Sequence, residues 1–338
     1  MRRISMALLE VENLQTEFTT DQGIVRAVRD VSFTVDNGEA LGIVGESGSG
    51  ISQTMYSIIG LLSDNGKVTN GKVIFDGEDI SPSLFKNKKE YEEALQKLRG
   101  NSMAMIFQDP MTFLNPILKI GTQLVEPIMN HTNLSAAEAH QKALELMEKV
   151  GIPSPEKRIS QYPFEVSGGM RQRIVIAIAL AKNPKLIIAD EPTTALDVTI
   201  QAQVLELIDE LKKTSNSAII MISHDLGVVA KLCDRIAIMY GGKIVEIGTD
   251  EEIFYEPKHP YTKGLLNCIA NPENDEDVPL EPIAGSPPDL LNPPKGCPFV
   301  DRCAEAMRIC KDVQPEVTTF SNTHQCACWL LHSKAVKE

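Results

Sequence analysis

The chain has 338 residues, 43% of them hydrophobic and 23% charged, which is enough for a large core and more than one structural unit. Its formal net charge of −13 argues against nucleic acid as the main partner, because a phosphate backbone would be repelled. No apolar run approaches the roughly 18–20 residues of a membrane span, and the first residues lack the apolar stretch of a signal peptide. We therefore expect a cytosolic chain that reaches a membrane only through other subunits.

The first predicted elements are strands at 8–11, 31–35 and 73–75, which indicate an antiparallel sheet. Between them, the apolar strand 41–44 leads into a glycine-rich loop at 45–52. Taken alone, this loop is either a plain Gly/Ser turn or a phosphate-binding loop. Backbone N–H groups and the N-terminal end of the next helix would bind phosphate in the second case.

The loop matches the phosphate-loop pattern G-x-x-x-x-G-K-[ST] except at one position, where Ile51 replaces the lysine. The replacement removes one charge-assisted contact, worth about 1.5–3 kcal/mol in binding. The residues predicted to contact nucleotide here are Gly45, Ser47, Gly48, Ser49, Gly50, Ile51, Ser52 and Gln53, with the Ser52 hydroxyl on Mg²⁺.

Four further segments follow in a fixed order. Gln108 lies in Ile-Phe-Gln-Asp-Pro, and Ser167, Gly168 and Gly169 open an apolar helix. The apolar strand at 186–190 ends in Asp190 and Glu191, of which the first suits Mg²⁺ and the second can polarise a water. Asp197 comes soon after, and His224 follows the apolar strand at 218–222. Each segment alone could have a purely structural role. Their occurrence together, in this order and at these separations, indicates a shared function.

The set resembles the ATP-binding subunit of an ABC transporter, with P-loop, Q-loop, signature, Walker B, D-loop and switch histidine in the family's order. It is more closely similar to the bacterial oligopeptide/dipeptide (Opp/Dpp) importer ATPases, on the segments 42–50, 107–112 and 259–262 and on a cysteine-bearing tail. The resemblance runs from about residue 8 to 328.

The resemblance implies a role for each of these residues. Ser52, Gln108 and Asp190 would bind Mg²⁺, Glu191 would be the catalytic base, and His224 would contact the γ-phosphate. Ser167, Gly168 and Gly169 would cap ATP held by a partner subunit, with Asp197 in the D-loop. Phe18 stands where the family stacks an aromatic ring on adenine, or else it simply packs under the first sheet.

The implied fold class is α/β: an ABC-type P-loop ATPase core, with a parallel sheet and an antiparallel β element, plus a helical subdomain and a small Cys-rich C-terminal extension. We place the nucleotide-binding domain at 1–255, its helical subdomain at about 114–180, and the extension at 256–338. A capping box at 135–138 begins one helix of the subdomain, residues 236–246 predict a hairpin, and 271–294 predicts an extended linker.

Three residues depart from the family pattern. Phe164 replaces a usual histidine and Phe113 a usual serine, and both lie away from the predicted phosphate chemistry. Ile51 puts hydrolysis at the chain's own site in doubt, while Glu191 and His224 are retained. That combination fits either an engineered inactivation or a naturally altered site that still closes on ATP.

Five of the seven cysteines lie between 297 and 328. In the cytosol, clustered thiols favour metal over disulfides, so Cys297, Cys303, Cys310 and Cys328 predict a metal site, for which Cys326 is a possible substitute. Similar tails in Opp/Dpp ATPases carry a [4Fe–4S] cluster, and His324 matches their pattern. Zinc is the alternative, although the paired C-x2-C of most zinc sites is missing.

The predicted function is the ATPase subunit of an importer for oligopeptides or dipeptides, peripheral on the cytoplasmic face of the cell membrane. Its expected ligands are ATP and Mg²⁺. Its expected partners are a paralogous ATPase subunit, two transmembrane permease subunits and, through them, an extracytoplasmic peptide-binding protein. The alternatives are a catalytically silent regulatory subunit, an importer ATPase for nickel or oligosaccharide, and a soluble ABC protein acting on ribosomes or DNA.

Overall fold

The computed structural model of the chain describes residues 7–193, 198–268, 282–333 and 335. Within these ranges the strands are β1 (Leu9–Thr20), β2 (Gly23–Val35), β3 (Ala40–Val44), β4 (Gly66–Phe75), β5 (Glu78–Asp79), β6 (Met103–Ile106), β7 (Leu186–Asp190), β8 (Ala218–Ser223), β9 (Arg235–Tyr240), β10 (Lys243–Thr249), β11 (Val317–Thr319) and β12 (Gln325–Ala327).

The α-helices in the same ranges are α1 (Ile51–Ile59), α2 (Lys88–Leu98), α3 (Pro110–Phe113), α4 (Ile120–Asn130), α5 (Ala136–Lys149), α6 (Pro155–Arg158), α7 (Gly168–Ala179), α8 (Val198–Ser215), α9 (Leu226–Leu232), α10 (Asp250–Tyr255), α11 (Pro260–Asn267) and α12 (Ile309–Asp312). The chain divides into two compact units. The first unit comprises Met1–Val35, Ala40–Pro82 and Ser223–Glu338, and the second comprises Asp36–Glu39 and Ser83–Ile222.

An antiparallel sheet in the order β2-β1-β4-β5 forms one part of the first unit. Leu9 pairs with both Val35 and Phe75, so the three short strands predicted from the sequence do belong to one antiparallel sheet. The observed strands are longer than predicted. Their outer halves are polar and half exposed, so they carry little of the apolar signal that marks a strand in the sequence.

The strand that leads into the glycine-rich loop lies in a second sheet of the first unit. Every residue of β3 is buried, and β3 runs parallel to β9, with Ile43 opposite Ala237. Strands β9 and β10 form the predicted hairpin, and β10 pairs onward with β12 of the tail. A Cβ at Gly42 would lie 2.0 Å from Val229 Cγ1, so the absence of a side chain there lets α9 pack directly on β3.

The second unit is built on three parallel, fully buried strands in the order β8-β7-β6. The prediction of a parallel sheet that contains the strands at 186–190 and 218–222 is therefore confirmed, whereas β6 was not predicted. Helix α5 begins with the predicted capping box between Ser135 and Glu138 and buries one apolar face. That face consists of Ala139, Ala143, Leu146 and Met147.

The predicted linker at 271–294 is only partly an extended connection. Residues 269–281 lie outside the described ranges, but 282–294 packs against β2. Leu290 O accepts a hydrogen bond from Arg26 N at 2.9 Å, and Pro294 O accepts one from Arg29 Nη2 at 2.8 Å. The prediction was wrong for this part, because carbonyl groups of the segment satisfy donors along the outermost strand of the antiparallel sheet, β2.

Among the residues that the structure describes, none of the helices combines the length and apolar character that crossing a bilayer requires.

Candidate nucleotide site

At two positions of the glycine-rich loop the backbone passes too close to other atoms for a residue with a side chain. A Cβ at Gly45 would lie 2.2 Å from Met239 O, and one at Gly50 would lie 2.2 Å from Ala27 O. Gly50 also has a φ of 93°, in the left-handed region. Around Gly48, by contrast, an added Cβ would meet nothing within 4 Å. The loop is thus packed tightly on its inner side and open at its tip.

Ile51, at the position of the missing lysine, is the first residue of α1 and is only 7% exposed. The helix starts after Gly50, which has no side chain to cap the first N–H groups, so these remain suited to an anion. The other predicted contact residues of the loop differ in exposure. Ser47 is exposed, Ser49 is buried, and Ser52 and Gln53 are partly buried. Phe18 lies on β1 opposite Gly66, where a Cβ would be 2.5 Å from its ring, and the choice between an adenine-stacking and a packing role stays a prediction.

His224 is exposed directly after β8, and the structure holds the backbone on both sides of it. Asp225 N donates to Ser223 Oγ at 3.0 Å. The Asp225 carboxylate accepts from Gly227 N at 2.8 Å and so caps α9. This cap fixes where the histidine leaves the sheet edge.

Gln108 and Glu191 are brought together inside the second unit. Because β6 and β7 are parallel neighbours, with Ile106 opposite Ala189, the residues after their carboxyl ends meet at one sheet edge. Gln108 Nε2 donates to Glu191 Oε2 at 2.9 Å. Glu191 has a φ of 45°, a conformation that few non-glycine residues adopt, and Asp190 before it is 3% exposed. Strained backbone of this kind is concentrated at functional sites.

The signature segment presents an exposed helix start. Ser167 and Gly168 are exposed, and Ser167 Oγ caps α7 by accepting from Met170 N at 3.3 Å. Five residues along, Gln172 is 1% exposed and donates through Nε2 to Pro192 O at 2.7 Å. The signature helix is therefore tied to the residue that follows Glu191. Gly169 packs inward, since a Cβ there would lie 2.9 Å from Ile200 Cγ2. Asp197 lies outside the described residues.

The two other departures from the family pattern make ring contacts. Phe113 stacks on Phe107 with centroids 4.9 Å apart, and Phe164, 67% exposed, stacks on Tyr162 at 5.5 Å. Both contacts lie in the second unit, and the predicted packing role suits them.

The four predicted tail ligands line one cavity. Cys297, Cys303, Cys310 and Cys328 surround it together with His259. Burial, and then the neighbouring thiols, raise the pKa of Cys297 to about 12 and that of Cys328 to about 11, so without a bound cation the thiols stay protonated.

The predicted metal cluster is not supported by the arrangement as it stands. In the described parts of the chain, no group of three or more His, Cys, Asp or Glu side chains is gathered closely enough to hold a metal ion. His324 is also engaged elsewhere, because its Nε2 lies 2.8 Å from Glu246 Oε1 in a buried contact. Cys326 is buried on β12 and is not among the cavity-lining residues.

Sequence reasoning missed the contacts that tail residues make with the phosphate loop. Glu46, within the loop, received no role, yet Tyr261 and Arg302 both contact it. No local pattern identifies such contacts, because the partners are 215 and 256 residues apart in the chain.

Comparison with known proteins agrees with this arrangement of motifs. Residues 28–194 match the ABC transporter family, and 245–310 match the oligopeptide/dipeptide transporter C-terminal region. The chain is 52% identical over 331 residues to the oligopeptide transport ATP-binding protein OppD of Bacillus subtilis, covering 98% of this chain and 90% of that one. It is 49% identical over 330 residues to the dipeptide transport ATP-binding protein DppD of the same organism, covering 97% and 96%.

Solved structures place the fold in the same class. The ATP-binding cassette MJ0796, solved as a dimer bound to ADP and Pi, is 26% identical with a TM-score of 0.63, covering 71% of this chain and 98% of that one. CbiO1 from Clostridium perfringens, part of a cbiONQ transporter complex, is 26% identical with a TM-score of 0.61, covering 74% and 91%. The fold and its motifs are those of an ABC-type ATPase. Within that class, the chain belongs to the family of ATP-binding subunits of oligopeptide and dipeptide ABC transporters.

Proposed function

We propose that this chain couples the binding and hydrolysis of ATP to the import of oligopeptides or dipeptides. The observation that carries the proposal is the hydrogen bond from Gln108 to Glu191, since it orients the carboxylate assigned to polarise water. Relatives about half identical over nearly the whole chain are oligopeptide and dipeptide transport proteins, which supports the substrate class.

The residues divide the chemistry among them. In phosphoryl transfer the protein mainly positions the reactants and stabilises charge, and a Mg²⁺ ion bound with ATP would neutralise charge on the phosphates. Ser52, Gln108 and Asp190 are the oxygen ligands assigned to that ion, while Glu191 accepts a proton from the attacking water. His224 contacts the γ-phosphate, and the loop N–H groups bind the other phosphate oxygens.

We further propose that the chain's own phosphate loop is impaired by Ile51 and that the chain also completes the site of a paralogous partner. The exposed Ser167 and Gly168 support this, since they offer a helix N-terminus to a nucleotide outside the chain. The dimeric structures of MJ0796 support a paired arrangement for cassettes of this fold.

The remaining partners are two permease subunits and, through them, an extracytoplasmic peptide-binding protein. We assign the domain boundary between 255 and 256, with the permease contact on the helical subdomain at 114–180. Exposed apolar side chains there support this contact, with Ile117 79% and Met129 44% exposed. Such contacts would hold the chain on the cytoplasmic face of the membrane.

For the tail we propose a [4Fe–4S] cluster on Cys297, Cys303, Cys310 and Cys328, which line one cavity but would have to be drawn closer together by the cluster, because the described side chains are not gathered for a metal ion. His259 supports this chemistry. Its Nδ1 accepts from Tyr261 N at 3.0 Å, and its pKa is lowered by burial to about 3, so the neutral ring carries its proton on Nε2. That buried Nε2 has no partner, and the ring lines the cysteine cavity, where a sulfur atom would accept the hydrogen bond. Iron, sulfide and zinc analysis of anaerobically purified protein tests this, and stoichiometric zinc without sulfide would refute it.

ATP hydrolysis by the assembled transporter tests the main proposal. We expect Ile51→Lys to raise turnover and Glu191→Gln, in that background, to remove the gain. If the reversion changes nothing while Ser167→Arg stops turnover, the partner's site does the work. If no variant of the complex hydrolyses ATP, the chain is a regulatory subunit and the proposal is refuted.

A further inference from the structure

The phosphate loop accepts a hydrogen bond from Gly242 N at Ser49 O, 2.9 Å long, and two residues of the C-terminal segment hold it at Glu46. Its backbone N–H donates to the hydroxyl of Tyr261 at 3.0 Å, and its carboxylate oxygen Oε2 lies 2.7 Å from Arg302 Nη1. Tyr261 thus binds the main chain of Glu46, and Arg302 binds its side chain. Both belong with the loop to the first unit.

The Arg302 guanidinium makes three hydrogen bonds in addition to its contact with Glu46. Nη1 also donates to Tyr240 Oη at 3.2 Å, Nε donates to Ala284 O at 2.9 Å, and Nη2 donates to Ile283 O at 2.9 Å. The side chain is only 6% exposed. A guanidinium whose donors are shared among four acceptor groups has one orientation, and a charge-assisted pair held this way is among the stronger hydrogen bonds of a protein.

Aromatic packing fixes the position of Tyr261. The rings of Tyr240 and Tyr261 lie 4.5 Å apart, and Phe299 packs against both, at 5.2 and 5.3 Å. The Arg302 guanidinium lies 5.7 Å from the Tyr240 ring and 5.9 Å from the Phe299 ring. Tyr261 is wholly buried, so its hydroxyl cannot leave Glu46 without disturbing this cluster.

A ligand that binds through backbone N–H groups requires those groups to be held in place before it arrives, because any ordering on binding reduces its affinity. In this chain the loop has an open tip and no lysine, so its N–H groups carry more of the binding than in the usual pattern. We propose that Arg302 and Tyr261 are positioning residues for nucleotide binding, and that the C-terminal segment thereby forms part of the nucleotide site. The nucleotide part of this inference rests on the proposed function, whereas the holding of the loop does not.

Amide hydrogen exchange of the loop tests the inference without nucleotide. In Arg302→Gln we expect the amides of Glu46 and Ser49 to exchange about ten-fold faster than in the unchanged protein, the loss of roughly one charged hydrogen bond. Arg29→Gln is the matched control. Arg29, on β2, also contacts the tail, through Pro294 O, and the turn between β9 and β10, through Gly241 O, but does not contact the loop. Equal exchange in Arg302→Gln and the unchanged protein, or an equal rise in the control, would overturn the inference.

Tyr261→Phe guards against a folding defect, because it removes one hydroxyl and keeps the ring cluster. It should accelerate exchange at Glu46 N alone while the melting curve of the protein stays cooperative. Unchanged exchange at Glu46 in a folded Tyr261→Phe protein would refute the role of the Tyr261 hydroxyl in holding the main chain of the loop.

Titration with ATP then separates the two proposals. We expect Arg302→Gln to weaken binding about ten-fold and Arg29→Gln to leave it unchanged. If the unchanged protein and Ile51→Lys both fail to bind ATP, the proposed function is wrong, while the exchange data still decide whether the tail holds the loop. If ATP binds equally to the Arg302 variant and the unchanged protein, the positioning role is wrong.

Discussion

Replacing Ile51 by lysine should change the stability of the free protein and its affinity for ATP in opposite directions. Ile51 is 7% exposed, and burying an isoleucine side chain fully is worth about 1.5–3 kcal/mol. The lysine stem would recover part of that burial, which leaves a net cost of about 1 kcal/mol in the nucleotide-free protein. A cost of that size lowers the melting temperature of a chain of this length by about 1–2 °C.

The gain appears only when phosphate is present. A lysine ammonium at this position adds one charge-assisted hydrogen bond, about 1.5–3 kcal/mol, which corresponds to about 10- to 150-fold tighter ATP binding. At a free ATP concentration about 100 times the dissociation constant, ligand binding stabilises a protein by about 2.7 kcal/mol, so the melting temperature of the variant with ATP should exceed that of the free unchanged protein.

The assay is thermal unfolding of both proteins with and without MgATP, together with a binding titration. Ile51→Gln is the matched control, because it loses the same apolar contact and adds polarity without a cation. If the glutamine variant gains as much affinity as the lysine variant, the charge is not the missing contribution. Equal ATP affinity in Ile51→Lys and the unchanged protein would refute the interpretation of Ile51 as the impaired position.

Three further changes have defined outcomes. Burial alone would raise the pKa of Glu252, but hydrogen bonds from Ser321 and other donors lower it from 4.5 to about 2, so its stabilisation is complete above pH 4.5 and is lost as the pH falls toward 2. Urea unfolding should therefore lose pH dependence in that window in Glu252→Gln, and an unchanged profile would contradict the assignment. Ser135→Ala removes the cap of α5 and should cost about 1 kcal/mol by urea unfolding, whereas Ser135→Asp should not. Gln172→Ala leaves Pro192 O without its donor and should cost about 1–3 kcal/mol, and a cost below 0.5 kcal/mol would show that the bond is dispensable.

Local chemistry explains why the sequence predicted some elements well. The apolar run of β3, the hairpin at 236–246 and the capped helix α5 each contain their own signal within a few residues, and the structure confirms all three. The contact between Gln108 and Glu191 follows from the rule that parallel strands end at one sheet edge, once both strands are known.

The remainder depends on contacts between distant parts of the chain. The docking of 282–294 against β2 is made by backbone groups, which every sequence contains, so nothing in the residues indicated it. Arg302 reads as an ordinary surface cation until the fold buries it against Glu46. The predicted metal ligands do share a cavity. The distances between their sulfur atoms depend on how the chain folds, and the spacing of cysteines along the sequence does not determine them.

The contacts of Tyr261 and Arg302 with Glu46 also determine when the phosphate loop becomes fixed during synthesis of the chain. The loop is among the first sixth of the residues synthesised, yet its partners Tyr261 and Arg302 follow 215 and 256 residues later. Contacts over such separations form late, because a long loop of chain must be closed first. A nascent chain therefore contains the whole phosphate loop and the residues of α1 well before β9, the partner of β3, is made and the loop acquires its final rigidity. Premature termination between Tyr261 and Arg302 would leave a chain that contains every nucleotide-binding motif but whose loop lacks its contact with the Arg302 guanidinium.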